Sequence, residues 1–233
     1  MVLSSLTVLF PSLNEARTLG YLVAQADNVT RRFTGDYEIL VIDDGSTDGT
    51  ALLLTRLKSG IPSLHWIPHP HPRGPGGAIR SGLAAASKEW IFTVDADGQF
   101  DVAELARLVE NLADGVEMVS GHRSLRTDSV ARRLLSGFHR FFMRGLLGIR
   151  MSDPKCSFRL IRRRALDSLV LRCDTGLFWV ELTKRLEERG CHTVCVPIHV
   201  HPRRYGRSRV LTSRLLFRAV MEHLWLWRDL KRA

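Results

Sequence analysis

A chain of 233 residues, 45% hydrophobic and 25% charged, has the length and balance of one large α/β domain and falls outside the ranges of disordered, collagen-like or disulfide-stapled proteins. Its formal charge of +10 is unevenly placed: residues 121–164 hold 12 Lys and Arg against 2 acids, residues 200–233 hold 9 against 2, and the remainder is net negative by 7. That partition argues against a generic nucleic-acid binder and for an acidic metal site facing an anionic partner.

No apolar run approaches the roughly 18 residues of a membrane span. Residues 1–10 carry no basic segment ahead of their apolar stretch, so neither a secretory leader nor a span is expected. Cys156, Cys173, Cys191 and Cys195 are too few and too unevenly spaced for a disulfide framework and are expected as reduced thiols in a cytoplasm.

In chain order, the first half alternates short β-branched or apolar runs with helix-period segments, the pattern of a parallel sheet with crossover helices. Strands are expected at 5–10, 37–43, 64–67, 90–95 and 117–121, and helices at 15–29, 47–58, 77–86 and 102–111. Ser12 or Asn14 is expected to cap the first helix, and Ser46 or Thr47 the second. The second half is less regular. It shows helical spacing over 129–147, with Arg132, Arg133, Arg140 and Arg144 off the apolar face, then a helix at 177–189 and a strand at 193–200. The last stretch, 212–232, is an amphipathic helix with Trp225 and Trp227 beside Arg218, Arg228, Lys231 and Arg232, a composition that suits a bilayer interface or a membrane partner subunit.

Strand ends repeatedly meet polar loops: Asn14-Glu15, Asp43-Asp44 and Asp95-Ala96-Asp97. In open α/β sheets those carboxyl edges are where ligands bind. The strongest local signal is Val94-Asp95-Ala96-Asp97-Gly98-Gln99. Two carboxylates one residue apart, followed by a carboxamide, put oxygen donors around one point as Mg²⁺ or Mn²⁺ requires. A turn in which Asp95 caps the next helix fits the same residues, and the block alone leaves both readings open. Asp43 at its strand tip is suited to accept from a ribose hydroxyl or a base amino group, because a carboxylate offers acceptors only.

A dinucleotide site is disfavoured, since the first strand runs into Pro11-Ser12-Leu13-Asn14-Glu15 without glycines for a pyrophosphate. The later glycine cluster, Arg73-Gly74-Pro75-Gly76-Gly77 through Gly82, matches no phosphate-loop spacing and fits a tight loop opening a packed helix as well as a phosphate cradle. His69 and His71 read as loop residues that touch phosphate only in the cradle reading. Cys191, His192, Cys195, His199 and His201 invite a zinc reading, but Cys191 and Cys195 lie too far apart along an extended strand to share one tetrahedral ion.

Five blocks in order, Phe10 to Glu15, Val41 to Thr50, Gly74 to Gly82, Asp95 to Gln99 and Gly121-His122-Arg123, resemble family 2 glycosyltransferases of the GT-A fold. Within that family the chain is most similar to dolichyl-phosphate mannosyltransferases and their bacterial polyprenyl-phosphate relatives, from the first strand to about Arg209. The resemblance implies that Pro11, Leu13, Glu15, Asp43, Gly76 and Asp95 line the nucleotide site, with Leu13 where the family often has Tyr. It implies that Asp95, Asp97 and Gln99 hold the metal on the donor diphosphate, that Arg123 contacts the transferring region, and that Asp97, Arg123, Arg203 and Arg209 serve the chemistry. Asp153-Pro154-Lys155-Cys156-Ser157-Phe158-Arg159 looks like the family's Asp-Pro-x-Ser-Gly-Phe-Arg, with Cys156-Ser157 replacing Ser-Gly; Arg203 through Arg209 resembles Arg-x-x-Gly-x-Ser-Lys, with Arg209 for Lys. Asp153, Ser157, Arg159, Arg203, Ser208 and Arg209 are thereby implied on the acceptor side.

The expectation is a GT-A α/β fold: a mostly parallel central sheet with helices on both faces and a C-terminal amphipathic helix. A single catalytic domain is expected over 1–211, with a nucleotide-binding half at 1–123 and an acceptor half at 124–211, followed by the helix at 212–233. The expected activity is inverting, Mg²⁺- or Mn²⁺-dependent transfer of a hexose from a GDP- or UDP-sugar to a polyprenyl phosphate. The enzyme is expected to be peripheral at the cytoplasmic membrane face and to bind no nucleic acid. A lipid phosphate is already an anion, so the reaction needs arginines such as Arg123, Arg203, Arg207 and Arg209 more than it needs a strong base. The alternatives are a soluble or glycan hydroxyl acceptor with Glu181 or Asp153 as base, and a non-catalytic nucleotide-sugar or nucleic-acid binder.

Overall fold

The computed structural model describes residues 2–123, 145, 147–203, 205 and 213–230, with the side chains of 213–220 and 230 outside the description. The expected helix over 129–147 with its four arginines therefore lies outside the described residues, save 145 and 147. So do Arg204, Gly206, Arg207, Ser208, Arg209, Lys231, Arg232 and the side chain of Arg218.

The described strands form one seven-stranded sheet in the order β3-β2-β1-β4-β6-β5-β7. β1 (Leu6–Ser12) lies between β2 (Tyr37–Asp43) and β4 (Trp90–Thr93), parallel to both, and β3 (Leu64–Pro68) continues the parallel run. β5 (Val116–Arg123) and β7 (His192–Ile198) also pair in parallel. Between β4 and β5 sits β6 (Arg159–Arg162), antiparallel to both. The sheet is mostly parallel, as expected, and the reversed strand is an addition. Its four residues, Arg-Leu-Ile-Arg, are too short to show a period, so cross-strand hydrogen bonds define it.

Alternation along the strands divides the core into two faces. Leu6, Val8 and Phe10 of β1 and Ile39 and Val41 of β2 pack with Leu19, Leu22, Val23 and Ala26 of α1 (Ala16–Thr30) and Leu54 of α2 (Thr50–Lys58). Leu9, Leu40, Ile42 and Ile91 pack with Ala78 of α3 (Pro75–Ala85) on the other face. A short 3₁₀ turn, Val102–Glu104, leads into α4 (Leu105–Glu110). α5 (Phe178–Glu188) and α6 (Ser213–Leu230) share a further apolar cluster with Met118, Ile161 and Ile79.

The caps differ from the sequence reading. Asn14 adopts a left-handed φ of 58° and its Oδ1 accepts from the Thr47 amide at 2.7 Å instead of capping α1. Asp48 takes over at both helices: Oδ2 accepts from the Ala16 amide at 3.0 Å, and Oδ1 from the Thr50 amide and hydroxyl at 3.2 and 2.6 Å. A cap supplied from 32 residues away leaves no local signature, and it ties the loop after β1 to the loop after β2.

The last helix is anchored on the protein: Leu226 is fully buried, and the partly buried Trp225 and Trp227 pack against the α5 cluster. Glu222 accepts from the amides of Asp174 and Thr175 and from the Thr175 hydroxyl, Arg185 pairs with Asp229, and the Arg172 guanidinium lies 5.7 Å from the Trp225 ring. Among the described side chains of α6, Met221 and Leu224 are the exposed large apolar ones. Among the described residues no helix is long and apolar enough to cross a membrane.

Candidate active site

β2, β1 and β4 are adjacent and parallel, so Asp43, the Ser12–Glu15 loop and Asp95–Asp97 all emerge at one edge of the sheet. The chain passes from β1 to β2 on one side and returns to β4 on the other, which makes this edge the switch point where open sheets leave a crevice. The loops are joined to one another. The Asp44 amide donates to the Ser12 carbonyl at 2.8 Å, the Asn14 amide to Ser46 Oγ at 2.8 Å, and the Thr18 hydroxyl to the Ala96 carbonyl at 2.6 Å. Asp43 is buried and its Oδ1 accepts from the Ser46 amide at 3.0 Å. Pro11, Leu13 and Glu15 are half-buried along the same rim.

Asp95 and Asp97 follow β4 directly and are half-buried. Loss of hydration, then the neighbouring Asp97 charge, push Asp95 up to about 6, against a hydrogen bond from Ser157 that pulls it down. Desolvation raises Asp97 as well. Among the described residues no three His, Cys, Asp or Glu side chains gather to hold a metal by themselves. Two mutually repelling carboxylates nevertheless fit Mg²⁺ or Mn²⁺ well, because Mg²⁺ typically takes one or two protein carboxylates and completes its shell with water and substrate phosphate. Gln99 is tied to His201: its side-chain Nε2 donates to the His201 carbonyl at 3.3 Å, and its main-chain carbonyl accepts from the His201 amide at 2.8 Å.

The reversed strand brings the 153–158 segment to this edge, because β6 begins opposite the end of β4, Arg159 pairing with Thr93. Ser157 Oγ donates to Asp95 Oδ2 at 2.6 Å. The position at which the sequence departs from the family's Ser-Gly thus carries a hydroxyl that reaches the Asp95 carboxylate. Arg159, expected on the acceptor side, is completely buried and corrected to a brace. It donates to the carbonyls of Cys156 and Pro154, both at 2.7 Å, and to Thr183 Oγ1 at 2.8 Å, with the Trp179 ring centroid 4.9 Å away. Burial lowers its pKa to about 10, so it stays charged at neutral pH.

Arg123 and Asp153 are brought together in a two-point ion pair, Nε to Oδ2 at 2.7 Å and Nη2 to Oδ1 at 2.8 Å. Burial opposes both charges, but the pair overrides it, holding Asp153 below the usual carboxylate range and Arg123 above its own. Asp153 is therefore a poor proton acceptor. Glu181 is fully buried, and its Oε2 accepts from the amides of Arg172 and Cys173 at 2.9 and 2.8 Å. Asp153 is thus committed to Arg123, whereas Glu181 keeps its Oε1 without a hydrogen bond but is completely buried.

The glycine loop is a second correction. Asp44, which the sequence reading left without a role, accepts at Oδ1 from the Arg73 amide at 2.8 Å and at Oδ2 from the Gly74 amide at 2.9 Å. The Gly76 amide donates to the Asp174 carbonyl at 2.9 Å. These donors are committed within the protein, so Gly76 is not part of a phosphate cradle. A Cβ on Gly76 would lie 2.4 Å from the Cys173 carbonyl oxygen, which is why glycine stands there. His69 is buried between Asp44 Oδ1 at 2.7 Å and Ser81 Oγ at 3.0 Å. That connectivity copies a nucleophile triad, but Asp44 also anchors two loop amides and Ser81 lies within α3, so the trio braces the loop.

The segment after β7 folds back over the acidic pair. Arg203 bonds Glu15 through Nη2, keeps Nη1 4.0 Å from Asp97 Oδ2, and donates from Nε to the Tyr205 carbonyl at 2.9 Å. His199 is anchored to Glu104 by its amide, at 2.8 Å, and its ring. Arg203 thus brings a basic side chain of the later segment to the acidic edge.

A family model described as "Glycosyl transferase family 2" matches residues 7–170. The chain belongs to glycosyl transferase family 2. An undecaprenyl-phosphate 4-deoxy-4-formamido-L-arabinose transferase from Salmonella choleraesuis (strain SC-B67) is 29% identical over 216 residues, which is 92% of this chain but 65% of that protein. The family 2 chain thus spans just under two thirds of that relative's length. Among solved structures, mannosyl-3-phosphoglycerate synthase from Rubrobacter xylanophilus superimposes with a TM-score of 0.70 at 20% identity, covering 98% of this chain and 75% of that one. Glucosyl-3-phosphoglycerate synthase from Mycobacterium tuberculosis, in complex with Mn²⁺, uridine-diphosphate and phosphoglyceric acid, gives 0.68 at 20%, covering 96% and 78%. The fold is the expected GT-A fold.

Proposed function

We propose that this family 2 chain is an inverting, divalent-metal-dependent glycosyltransferase that moves a hexose from a GDP- or UDP-sugar to a polyprenyl phosphate. The observation that carries the reading is the Asp95–Asp97 pair at the tip of β4, on the same edge as Asp43 and beside the Arg203 guanidinium. Pro11, Leu13, Glu15 and Asp43 form the nucleotide rim, and Asp95 and Asp97, with Gln99 next to them, hold the cation. When bound, Mg²⁺ or Mn²⁺ neutralises charge developing on the leaving diphosphate. Arg203, with Ser208 and Arg209 by resemblance, brings the anionic acceptor to the donor, and Arg123 steadies the transferring region while held by Asp153.

An acceptor that is already ionised is favoured by the state of Asp153, locked to Arg123 and held below the usual carboxylate range, and by the complete burial of Glu181. The Salmonella relative's name, with its undecaprenyl phosphate, supports the same acceptor class. In this reading 1–123 is the nucleotide half and 124–211 the acceptor half. Contact with the cytoplasmic face of an anionic membrane falls to exposed Met221, Leu224 and Arg228 of α6, in place of the tryptophans.

The test is a thermal-shift panel of GDP- and UDP-sugars with Mn²⁺ or Mg²⁺, followed by incubation of the best donor with a short polyprenyl phosphate, 3-phosphoglycerate or a free sugar. A sugar-lipid product of inverted anomeric configuration, lost on chelation, is expected. Full turnover in chelator, or transfer only to the soluble acceptors, would overturn it.

A further inference from the structure

The geometry points to Ser157 as a positioning residue that fixes which oxygen of Asp95 faces the cation; this rests on the metal-dependent reading above. Ser157 is 5% exposed, and its hydroxyl proton goes to Asp95 Oδ2 at 2.6 Å. A hydroxyl has one proton to give, so this bond occupies one carboxylate oxygen and leaves Oδ1 as the oxygen without that donor.

The backbone behind the hydroxyl is held on all sides. The Ser157 carbonyl accepts from the Thr93 hydroxyl at 2.6 Å, which ties it to the last residue of β4, two residues before Asp95. The next carbonyl, on Phe158, accepts from the Gly121 amide at 2.8 Å. The preceding one, on Cys156, accepts from the fully buried Arg159 at 2.7 Å, and Arg159 grips Pro154 and Thr183 as well. With its backbone fixed this firmly, Ser157 offers its hydroxyl from a constant place, and the Asp95 carboxylate orients against it. Groups that orient a metal ligand in this way commonly change metal affinity by about 10–100-fold when removed.

The experiment uses the full chain and Mn²⁺ as probe, with UDP and separately with GDP, and reads the Mn²⁺ dissociation constant by calorimetry and by the paramagnetic resonance signal of free Mn²⁺. Ser157→Ala and Ser157→Gly should weaken Mn²⁺ binding by about tenfold or more, whereas Ser157→Thr, which keeps the hydroxyl, should restore most of it. Raising Mn²⁺ should recover the alanine variant's rate, a split that a general packing defect would not give. Unchanged Mn²⁺ affinity in a folded Ser157→Ala protein, or equal losses in the alanine and threonine variants, overturns the assignment while leaving the transferase reading intact. Absence of any Mn²⁺ or Mg²⁺ binding by the unmodified chain overturns both.

Discussion

Arg203 stands between two acids, bonded to Glu15 and 4.0 Å from Asp97, so its guanidinium lies close to where a divalent cation would sit. Arg203 and the cation therefore compete for Asp97. Replacing Arg203 by Ala should tighten nucleotide-free Mn²⁺ binding about two- to fivefold, the scale of a partly exposed ion pair of ~0.5–1 kcal/mol. The same variant should raise the acceptor KM by about tenfold through loss of a charge-assisted contact. Calorimetry and steady-state kinetics read the two effects; a fall in both affinities together would contradict the competition.

Asp95 links function to stability with opposite signs. Its pKa in the folded chain, about 6, is raised above the ordinary 3.8, so the folded state holds a proton that the unfolded chain has already lost. Stability from this group is present below pH ~4 and is lost as pH rises through about 6, a cost of up to roughly 3 kcal/mol at neutral pH without cation. In chelator, Asp95→Asn should melt higher than the unmodified chain at pH 8 and at a similar temperature at pH 4, yet transfer nothing. Asp97→Ala should also abolish transfer. A lower melting temperature for Asp95→Asn at pH 8 would refute the linkage.

The Arg123–Asp153 pair has the reverse dependence. Asp153 is held below its usual range, so the pair stabilises the fold above the ordinary carboxylate pKa and loses that contribution as pH falls. Asp153→Asn should cost about 2–4 kcal/mol at pH 7 by leaving a half-buried guanidinium unpaired, and the difference should shrink toward pH 3. Urea unfolding at the two pH values measures it.

Gly76 and Gly82 test how backbone and side-chain obstacles differ. A Cβ on Gly76 meets the Cys173 carbonyl oxygen at 2.4 Å and the Asp174 Cα at 2.8 Å, whereas one on Gly82 meets only the Leu9 side chain, at 2.3 Å. Gly76→Ala should destabilise by about 3 kcal/mol or more and Gly82→Ala by about 1–2, because Leu9 can change rotamer and a backbone cannot step aside. Equal costs in denaturant titrations would count against the close approach of the glycine loop to 173–174.

The local record in the sequence was good where one element carries its own signal. β2 over Tyr37–Asp43 follows from an apolar run that ends in acid, and Asp95 and Asp97 are neighbours along the chain, so no folding is needed to pair them. Where a contact joins distant residues the sequence is silent. Asp48 caps a helix 32 residues upstream, Asp44 anchors Arg73 and Gly74, and Trp225 and Trp227 turn toward α5 although their spacing suits a bilayer equally well.

Period, charge partition and motif order determined an α/β chain with an acidic carboxyl edge and basic later segments, because those properties reside in residues close along the backbone. Only the tertiary structure decided what surrounds that edge. By inserting four residues in reverse between β4 and β5, it carries Ser157 across 62 positions to Asp95 and buries Arg159 as the brace behind it. Hydrogen-bond pairing between strands sets that register, and such pairing depends on backbone groups common to nearly every residue, so side-chain spelling does not reveal it.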